Sequence, residues 1–211
     1  MPLPVFSAGR ANQVAPRRLS AVRLARAAVC AAMLAASAML RFQFGALPAM
    51  TTAQVYMVLL IGLTLGAKDG AVSVALYLLI GLIGIPVFSK GGGMQTLFQP
   101  EGGYLLGFVA AAAVAGALRQ SAAGVGTGYR AHPIWDGIAA FAGLAALYAV
   151  ALPYIAVSQW ALGSPVAAGK LVAAYGMAFW PLDAVKAILA ALTARELLRA
   201  HPALFSRKTA I

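Results

Sequence analysis

Long apolar runs separated by short polar stretches dominate the chain. Six runs rich in Ala, Leu, Val and Ile are present, and none shows the alternation of apolar and polar residues that a half-buried strand requires. Continuous runs of this kind predict helices. We expect helices at about residues 21–40, 53–67, 71–85, 102–118, 134–157 and 170–198, the last interrupted by Pro181.

The second and third runs are the shortest. Each holds about fifteen strongly apolar residues, fewer than the roughly 20 that a helix needs to cross a bilayer. Two interpretations are open from this pattern. The runs form two spans joined by a tight turn at Lys68-Asp69-Gly70, or they form one hairpin that enters and leaves the membrane on the same side.

Composition supports a membrane location. Of the 211 residues, 62% are hydrophobic and 10% are charged, and the mean hydropathy is +0.85. A soluble domain is roughly 45–50% apolar and about 25% charged. Because the runs do not alternate, helices rather than a barrel satisfy the backbone in lipid. The predicted fold class is all-α, an integral membrane protein with a transmembrane domain over residues 21–198 between cytoplasmic tails at 1–20 and 199–211.

The positions of the basic residues indicate topology. With the N-terminus inside, the cytoplasmic segments hold twelve Lys and Arg residues and the outer segments hold three, Arg41, Lys90 and Lys170. This positive-inside asymmetry favours six spans over the hairpin and places both termini in the cytoplasm. The net charge of +11 is concentrated at the two termini, which indicates contact with anionic lipid headgroups and argues against nucleic acid as a partner.

A glycine-rich stretch from Pro86 to Phe108 reads PVFSKGGGMQTLFQPEGGYLLGF. Its glycines permit close approach of the backbone to a ligand, and about fifteen residues are more than a simple connector needs. A flexible connector is the alternative to the structured, ligand-facing loop that we favour. Phe88, Phe98 and Tyr104 are expected to form walls. The candidate binding residues on this outer face are Gln54, Gly92, Gly93, Gln99, Gly102, Gly103 and Tyr104.

Two charged residues lie within the last apolar run. Asp183 and Lys186 are three apart and therefore share a helix face. Ionisable groups inside a membrane are costly and often functional, although a self-neutralising structural pair is the alternative. Pro181 favours function, because it removes a backbone hydrogen bond to the carbonyl of Met177 and so exposes an acceptor beside the pair.

Alanines recur at a spacing of four in the first run. Ala27, Ala31 and Ala35 form one row, and small residues at this spacing let two helices approach closely. The row either packs inside the bundle or docks another membrane subunit, and a homo-oligomer is also open.

Motifs for catalysis are absent from the sequence. It contains no GxxxxGK[ST], HExxH or CxxC motif. It has one cysteine, Cys30, and two histidines, His132 and His201, which lie in the predicted cytoplasmic segments. We therefore expect no enzyme activity, no catalytic residues, no metal site and no cofactor.

Several motifs together resemble one family. They are Ala-Met-Thr-Thr-Ala-Gln54, the glycines at 66, 70, 81 and 84, Pro86-Val87-Phe88, Gly91-Gly92-Gly93, Pro100-Glu101-Gly102-Gly103-Tyr104-Leu105-Leu106-Gly107-Phe108, and the Asp183–Lys186 pair. Over residues 22–198 this order is similar to the BioY family, the biotin-specific S components of energy-coupling factor (ECF) transporters. Glu101 departs from that pattern, where threonine is usual.

The resemblance implies a function. An S component of this kind binds biotin from outside, docks on a transmembrane coupling subunit, often through small residues of its first helix, and is driven by two cytoplasmic ATPase subunits in a prokaryotic plasma membrane. It also implies that Asp183 and Lys186 bind the polar groups of biotin, with Tyr104 and the loop from Gly91 to Gly103 as wall and lid. Lys90 or Arg41 could hold the biotin carboxylate.

Two other functions remain open from the sequence. An S component for another vitamin would keep the architecture and change the pocket. A secondary transporter working alone should carry an internal repeat with paired broken helices, and the chain shows one proline-broken helix and no clear repeat.

Overall fold

The computed structural model describes residues 21–42, 51–122 and 133–201. In these ranges eight α-helices and one small antiparallel hairpin form, with Arg41 paired to Thr52 and Phe42 to Thr51. The elements are α1 (Ala21–Met39), β1 (Arg41–Phe42), β2 (Thr51–Thr52), α2 (Gln54–Leu65), α3 (Ala67–Leu82), α4 (Gln95–Phe98), α5 (Gly102–Ala122), α6 (Pro133–Ala161), α7 (Ala168–Leu171), a π-helical segment (Val172–Met177) and α8 (Trp180–Ala200).

The helices α5 and α6 pack backbone against backbone. A Cβ atom at Gly103 would lie 2.7 Å from the carbonyl oxygen of Ala151, and one at Gly107 would lie 2.7 Å from that of Leu147. No side chain fits at these contacts, so the glycines set the distance between the two helices. Small residues at such contacts are the usual means by which helices associate in lipid.

Four helical segments in the described ranges are long and apolar enough to cross a membrane: Ala21–Met39, Gly102–Ala122, Pro133–Ala161 and the continuous segment Ala168–Ala200. The all-α membrane fold is thus confirmed. The helix α2 has 12 residues and is about 18 Å long at 1.5 Å per residue, less than the roughly 30 Å of a hydrocarbon core. Six complete spans therefore stay a prediction.

Exposed tryptophans mark the two ends of α6. Trp135 is 52% exposed near its start and Trp160 is 74% exposed near its end. Twenty-five residues of helix separate them, or about 37 Å, which is close to the distance between the two interfaces of a bilayer. Tryptophan is enriched at those interfaces, so α6 has the length and the end residues of a complete span.

The turn between α2 and α3 differs from the expectation. It lies at Gly66, whose φ of 82° is in the left-handed region that favours glycine. The predicted turn at residues 68–70 is therefore wrong, because these residues form the first turn of α3. Asp69 there faces the positive end of the helix dipole and pairs with Arg23 of α1.

Pro181 lies in the first turn of α8, where a proline is tolerated because its missing N–H has no partner within the helix. The predicted interruption of the last helix is thus present. It consists of the π-helical segment and a turn at residues 178–179. π-Helical insertions are frequent at functional sites. The helix α8 continues to Ala200, two residues beyond the predicted boundary, and the predicted tail 1–20 lies outside the described residues.

The candidate docking row of α1 lies on the side of the helix that faces the bundle. Ala27 and Ala31 are 4% and 2% exposed, packed inside the bundle, and Ala35 is partly buried. Of the two interpretations, docking of another subunit is therefore wrong for Ala27 and Ala31, because Leu34 and Ala38 on the same face belong to the core. Another row of small residues on α1, Ala28, Ala32 and Ala36, is exposed.

A buried ion pair ties together the end of the bundle where α2 and α5 finish. Arg119 of α5 donates to Asp136 of α6 at 2.9 Å and to the carbonyl oxygen of Leu63 at 2.8 Å. Both charged side chains are almost fully buried. Because α2 and α5 begin at the opposite end, the bundle has one end fixed by charge and one end available for a cavity.

Candidate ligand-binding site

A cavity of about 360 Å³ lies where α2, α5 and α8 begin. This volume is within the roughly 300–1,000 Å³ typical of small-molecule sites. The lining combines apolar walls with a few polar groups. It consists of Thr51, Thr52, Gln54, Val55, Phe88, Ser89, Lys90, Gly92, Gln95, Thr96, Gln99, Glu101, Tyr104, Leu105, Phe108, Phe179 and Asp183.

Asp183 is held from two sides at the buried end of this cavity. Lys186 donates to its Oδ1 atom at 2.8 Å, and the hydroxyl of Tyr148 donates to its Oδ2 atom at 2.7 Å. Asp183 is 3% exposed. A carboxylate can accept about four hydrogen bonds, and these two leave capacity for donors that arrive from the cavity. The site can therefore bind N–H or O–H groups of a ligand without first breaking its own contacts.

Lys186 stands behind Asp183 and does not line the cavity. Its amine donates to Asp183 and to the hydroxyl of Thr51. The lysine thus balances the buried carboxylate, since an unpaired charge here would carry a large desolvation cost. It also links α8 to β2, where Thr51 and Thr52 enter the cavity wall.

Gln54 reaches the wall from the first turn of α2. Its amide donates to the Tyr77 hydroxyl at 2.8 Å, and that hydroxyl donates to the Val87 carbonyl at 3.1 Å. The hydroxyl of Thr52 donates to the Gln54 side-chain oxygen at 3.0 Å. This chain of hydrogen bonds connects α2 and α3 with the start of the glycine-rich stretch, and it fixes the orientation of the Gln54 amide.

The glycine-rich stretch is structured and covers the cavity. Gly93, at a φ of 103°, donates its N–H to the Gly81 carbonyl at 2.7 Å. Phe88 is 1% exposed and packs edge-on against Tyr77, with ring centroids 5.4 Å apart. The hydroxyl of Tyr154 on α6 donates to the carbonyl of Leu97, which ties the short helix α4 to the bundle. We call residues 86–101 the lid.

Aromatic rings form the wall beside Asp183. The hydroxyl of Tyr104 donates to the carbonyl of Tyr175 in the π-helical segment. The Tyr104 ring contacts Phe179 and Tyr148 edge-on, with centroids 6.0 and 6.3 Å apart. Phe98, by contrast, is 67% exposed and lies outside the lining, so its expected role as a wall is wrong.

The structure brings together five of the candidate binding residues. Those that line the cavity are Gln54, Gly92, Gln99, Tyr104 and Asp183, and those that do not are Gly93, Gly102, Gly103 and Lys186. Gly102 and Gly103 permit close packing instead. A Cβ atom at Gly102 would lie 2.3 Å from the Leu97 carbonyl oxygen, so this glycine allows the lid to meet α5.

Two charged residues lie at the open end of the cavity. Lys90 pairs directly with Glu101, and their side chains are 70% and 43% exposed. Both line the cavity, whereas Arg41, the other cation considered for a ligand carboxylate, does not.

Tyr148 is a residue that sequence reasoning missed. It lies 35 positions before Asp183 in a run of Ala and Leu, so no spacing rule connects the two. The one signal is a hydroxyl within the otherwise apolar stretch 137–153, since a buried tyrosine hydroxyl usually finds a partner.

Comparison with known proteins shows the family of this chain. A sequence model of the BioY family matches residues 3–203. The chain belongs to the BioY family. BioY-family relatives include a probable biotin transporter BioY from Lysinibacillus sphaericus, 37% identical over 146 residues that are 68% of this chain and 70% of the relative. A biotin transporter BioY from Rhizobium etli is 33% identical over 165 residues, 77% of this chain and 85% of the relative.

A solved structure shares the BioY-family fold seen here. It is the crystal structure of the S component for biotin from an ECF-type ABC transporter, with a TM-score of 0.59 over 84% of this chain and 90% of that chain. Sequence identity is 20%, so this likeness shows the fold alone. It confirms the expected S-component-like bundle.

Proposed function

We propose that this protein is the biotin-binding S component of an ECF-type transporter, which captures biotin at the outer face and releases it inward. The observation that carries the proposal is a buried carboxylate with spare acceptor capacity, Asp183, facing a small-molecule cavity in a BioY-family chain. The names of the relatives support biotin over another vitamin.

The chemistry of biotin suits the lining. Its ureido ring offers two N–H donors and one carbonyl acceptor, and Asp183 can accept from an N–H. The second N–H of the Gln54 amide and the hydroxyl of Thr51 provide donors for the ring carbonyl from α2 and β2. The thioether ring and aliphatic tail need apolar walls, which Phe108 and Phe179 can supply.

We place the cavity on the outer side of a prokaryotic plasma membrane, with both termini in the cytoplasm. Twelve of the basic residues lie in the segments assigned to the cytoplasm and three in the outer ones. In that orientation the Arg119–Asp136 pair faces inward and the lid faces outward.

The proposed partners are a transmembrane coupling subunit and two cytoplasmic ATPase subunits. The chain itself has no P-loop sequence with which to use ATP. The exposed row Ala28, Ala32 and Ala36 of α1 is the surface on which we place the coupling subunit, since small residues allow close contact between helices in lipid.

Binding and uptake measurements test this function in two steps. Purified protein in detergent should bind radiolabelled biotin, and unlabelled biotin should displace it while thiamine and riboflavin should not. Displacement by another vitamin would contradict the assignment of biotin. Proteoliposomes that hold the protein alone should accumulate no biotin without the coupling subunit, the ATPases and ATP. Accumulation by the protein alone, driven by an ion gradient, would identify a secondary transporter instead.

A further inference from the structure

We infer that the cavity mouth does not discriminate the charge of the ligand's tail, so that biotin amide binds about as well as biotin itself. The inference rests on the proposed function and extends the substrate class to biotin linked through an amide or ester. It concerns the Lys90–Glu101 pair at the open end of the cavity.

The charged groups of the cavity lie at two depths. Within the described lining they are Asp183, Lys90 and Glu101. The side chain of Asp183 is 4% exposed, whereas those of Lys90 and Glu101 are 70% and 43% exposed. A ligand whose ring N–H groups donate hydrogen bonds to Asp183 therefore directs its tail toward the exposed Lys90–Glu101 pair.

The pair is neutral as a unit. Because the Lys90 amine donates directly to the Glu101 carboxylate, an incoming carboxylate is attracted by one group and repelled by the other at similar distances. The remaining polar residues of the lid that line the cavity are uncharged: Ser89, Gln95, Thr96 and Gln99. Hydroxyl and amide groups can bond to an amide, an ester or a carboxylate alike.

Within the described lining, no other cation offsets Glu101. Arg41 and Lys170 are absent from the described lining. The segment 43–50, which adjoins β1 and β2, contains no charged residue in its sequence. Glu101 therefore cancels the one cation that the described lining offers to a tail carboxylate at the cavity mouth.

The experiment measures the dissociation constants of biotin amide and of biotin by calorimetry on the purified full chain. Their ratio is then compared between the unmodified protein and its variants. The unmodified protein should bind the two ligands within about twofold of each other. In Glu101→Gln, which frees Lys90 and keeps the side-chain shape, biotin should be preferred by about three- to fivefold, the upper part of the range of exposed charge pairs. In Lys90→Met, biotin amide should instead be preferred, by a similar factor.

A double variant provides the matched control. Lys90→Met with Glu101→Gln has no charge at the mouth and should restore a ratio within about twofold of one. Raising the salt from 0.05 to 1 M should shrink both single-variant preferences, because screening acts on exposed charges.

A strong preference of the unmodified protein for biotin, unchanged in both single variants, would overturn the inference and leave the proposed function standing. Binding of neither ligand by the folded, unmodified protein would overturn the proposed function and the inference with it.

Discussion

Tyr148 orients the carboxylate to which we assign ligand binding, and replacing it with phenylalanine tests that geometry. Its hydroxyl donates to Asp183 Oδ2 at 2.7 Å from a buried position on α6. The substitution removes one oxygen and leaves the ring, whose edge contact with Tyr104 remains possible. Lys186 still holds the other carboxylate oxygen at 2.8 Å, so the charge stays paired while its orientation is less constrained.

The expected loss follows from the kind of bond removed. Hydrogen bonds to charged groups contribute roughly 1.5–3 kcal/mol, and about 1.4 kcal/mol corresponds to a tenfold change in affinity. Because Lys186 still restrains the orientation of the Asp183 carboxylate, we expect the lower end of this range, about a tenfold weaker biotin affinity. Titration calorimetry on the purified Tyr148→Phe protein measures the change directly.

Tyr56→Phe is the matched control. The Tyr56 hydroxyl donates to Thr193 at 3.1 Å and does not line the cavity. This variant should lose a little thermal stability and keep its affinity for biotin. Equal affinities for Tyr148→Phe and the unmodified protein, within about twofold, would refute the positioning role of Tyr148. A similar loss in Tyr56→Phe would show that the effect reflects general destabilisation.

Three further predictions concern topology, docking and the lid. In a cysteine-free background, cysteine at Ser89 should react with an impermeant thiol reagent on intact cells and cysteine at Ser121 should not; the reverse pattern would invert the topology. Ala32→Leu should bind biotin normally but block ATP-driven uptake, whereas Ala31→Leu should destabilise the bundle because Ala31 is buried; normal uptake by Ala32→Leu would place docking elsewhere. Tyr154→Phe should release α4 and raise the biotin dissociation rate several-fold in stopped-flow measurements, and an unchanged rate would remove Tyr154 from the control of the lid.

The membrane class and the end of the bundle that carries the candidate site could be predicted because they depend on local sequence. Apolar runs define the helices directly, and the spacing of Asp183 and Lys186 places them on one face of a helix. Glycine and proline also marked the lid correctly, since their backbone preferences are properties of single residues.

Features that depend on contacts between distant segments could not be predicted. The burial of Ala31 and the exposure of Ala32 depend on which side of α1 meets the bundle, and the apolar character of both sides hides this in a membrane protein. The position of Lys186 behind Asp183 depends on Thr51, which is 135 residues away. The turn at Gly66 was missed because the charged residues after it resemble a loop, although they suit the first turn of a helix.

The most direct test compares the two buried aspartates of the protein's ion pairs. Asp183 is 3% exposed and lines the cavity, whereas Asp136 is 1% exposed and pairs with Arg119 outside the lining. Replacing Asp136 leaves the buried Arg119 without its counter-charge and replacing Asp183 leaves the largely buried Lys186 without its own, so both variants should lose stability, by up to roughly 3–5 kcal/mol.

Biotin binding should distinguish them. In preparations that keep the elution profile of the unmodified protein, Asp183→Asn should weaken biotin binding at least tenfold, about 1.4 kcal/mol, because its amide N–H₂ can face the ligand's donors. Asp136→Asn should bind biotin with unchanged affinity. Wild-type affinity in a folded Asp183→Asn protein, or an equal loss in both variants, would contradict the assignment of Asp183 as the residue that binds biotin.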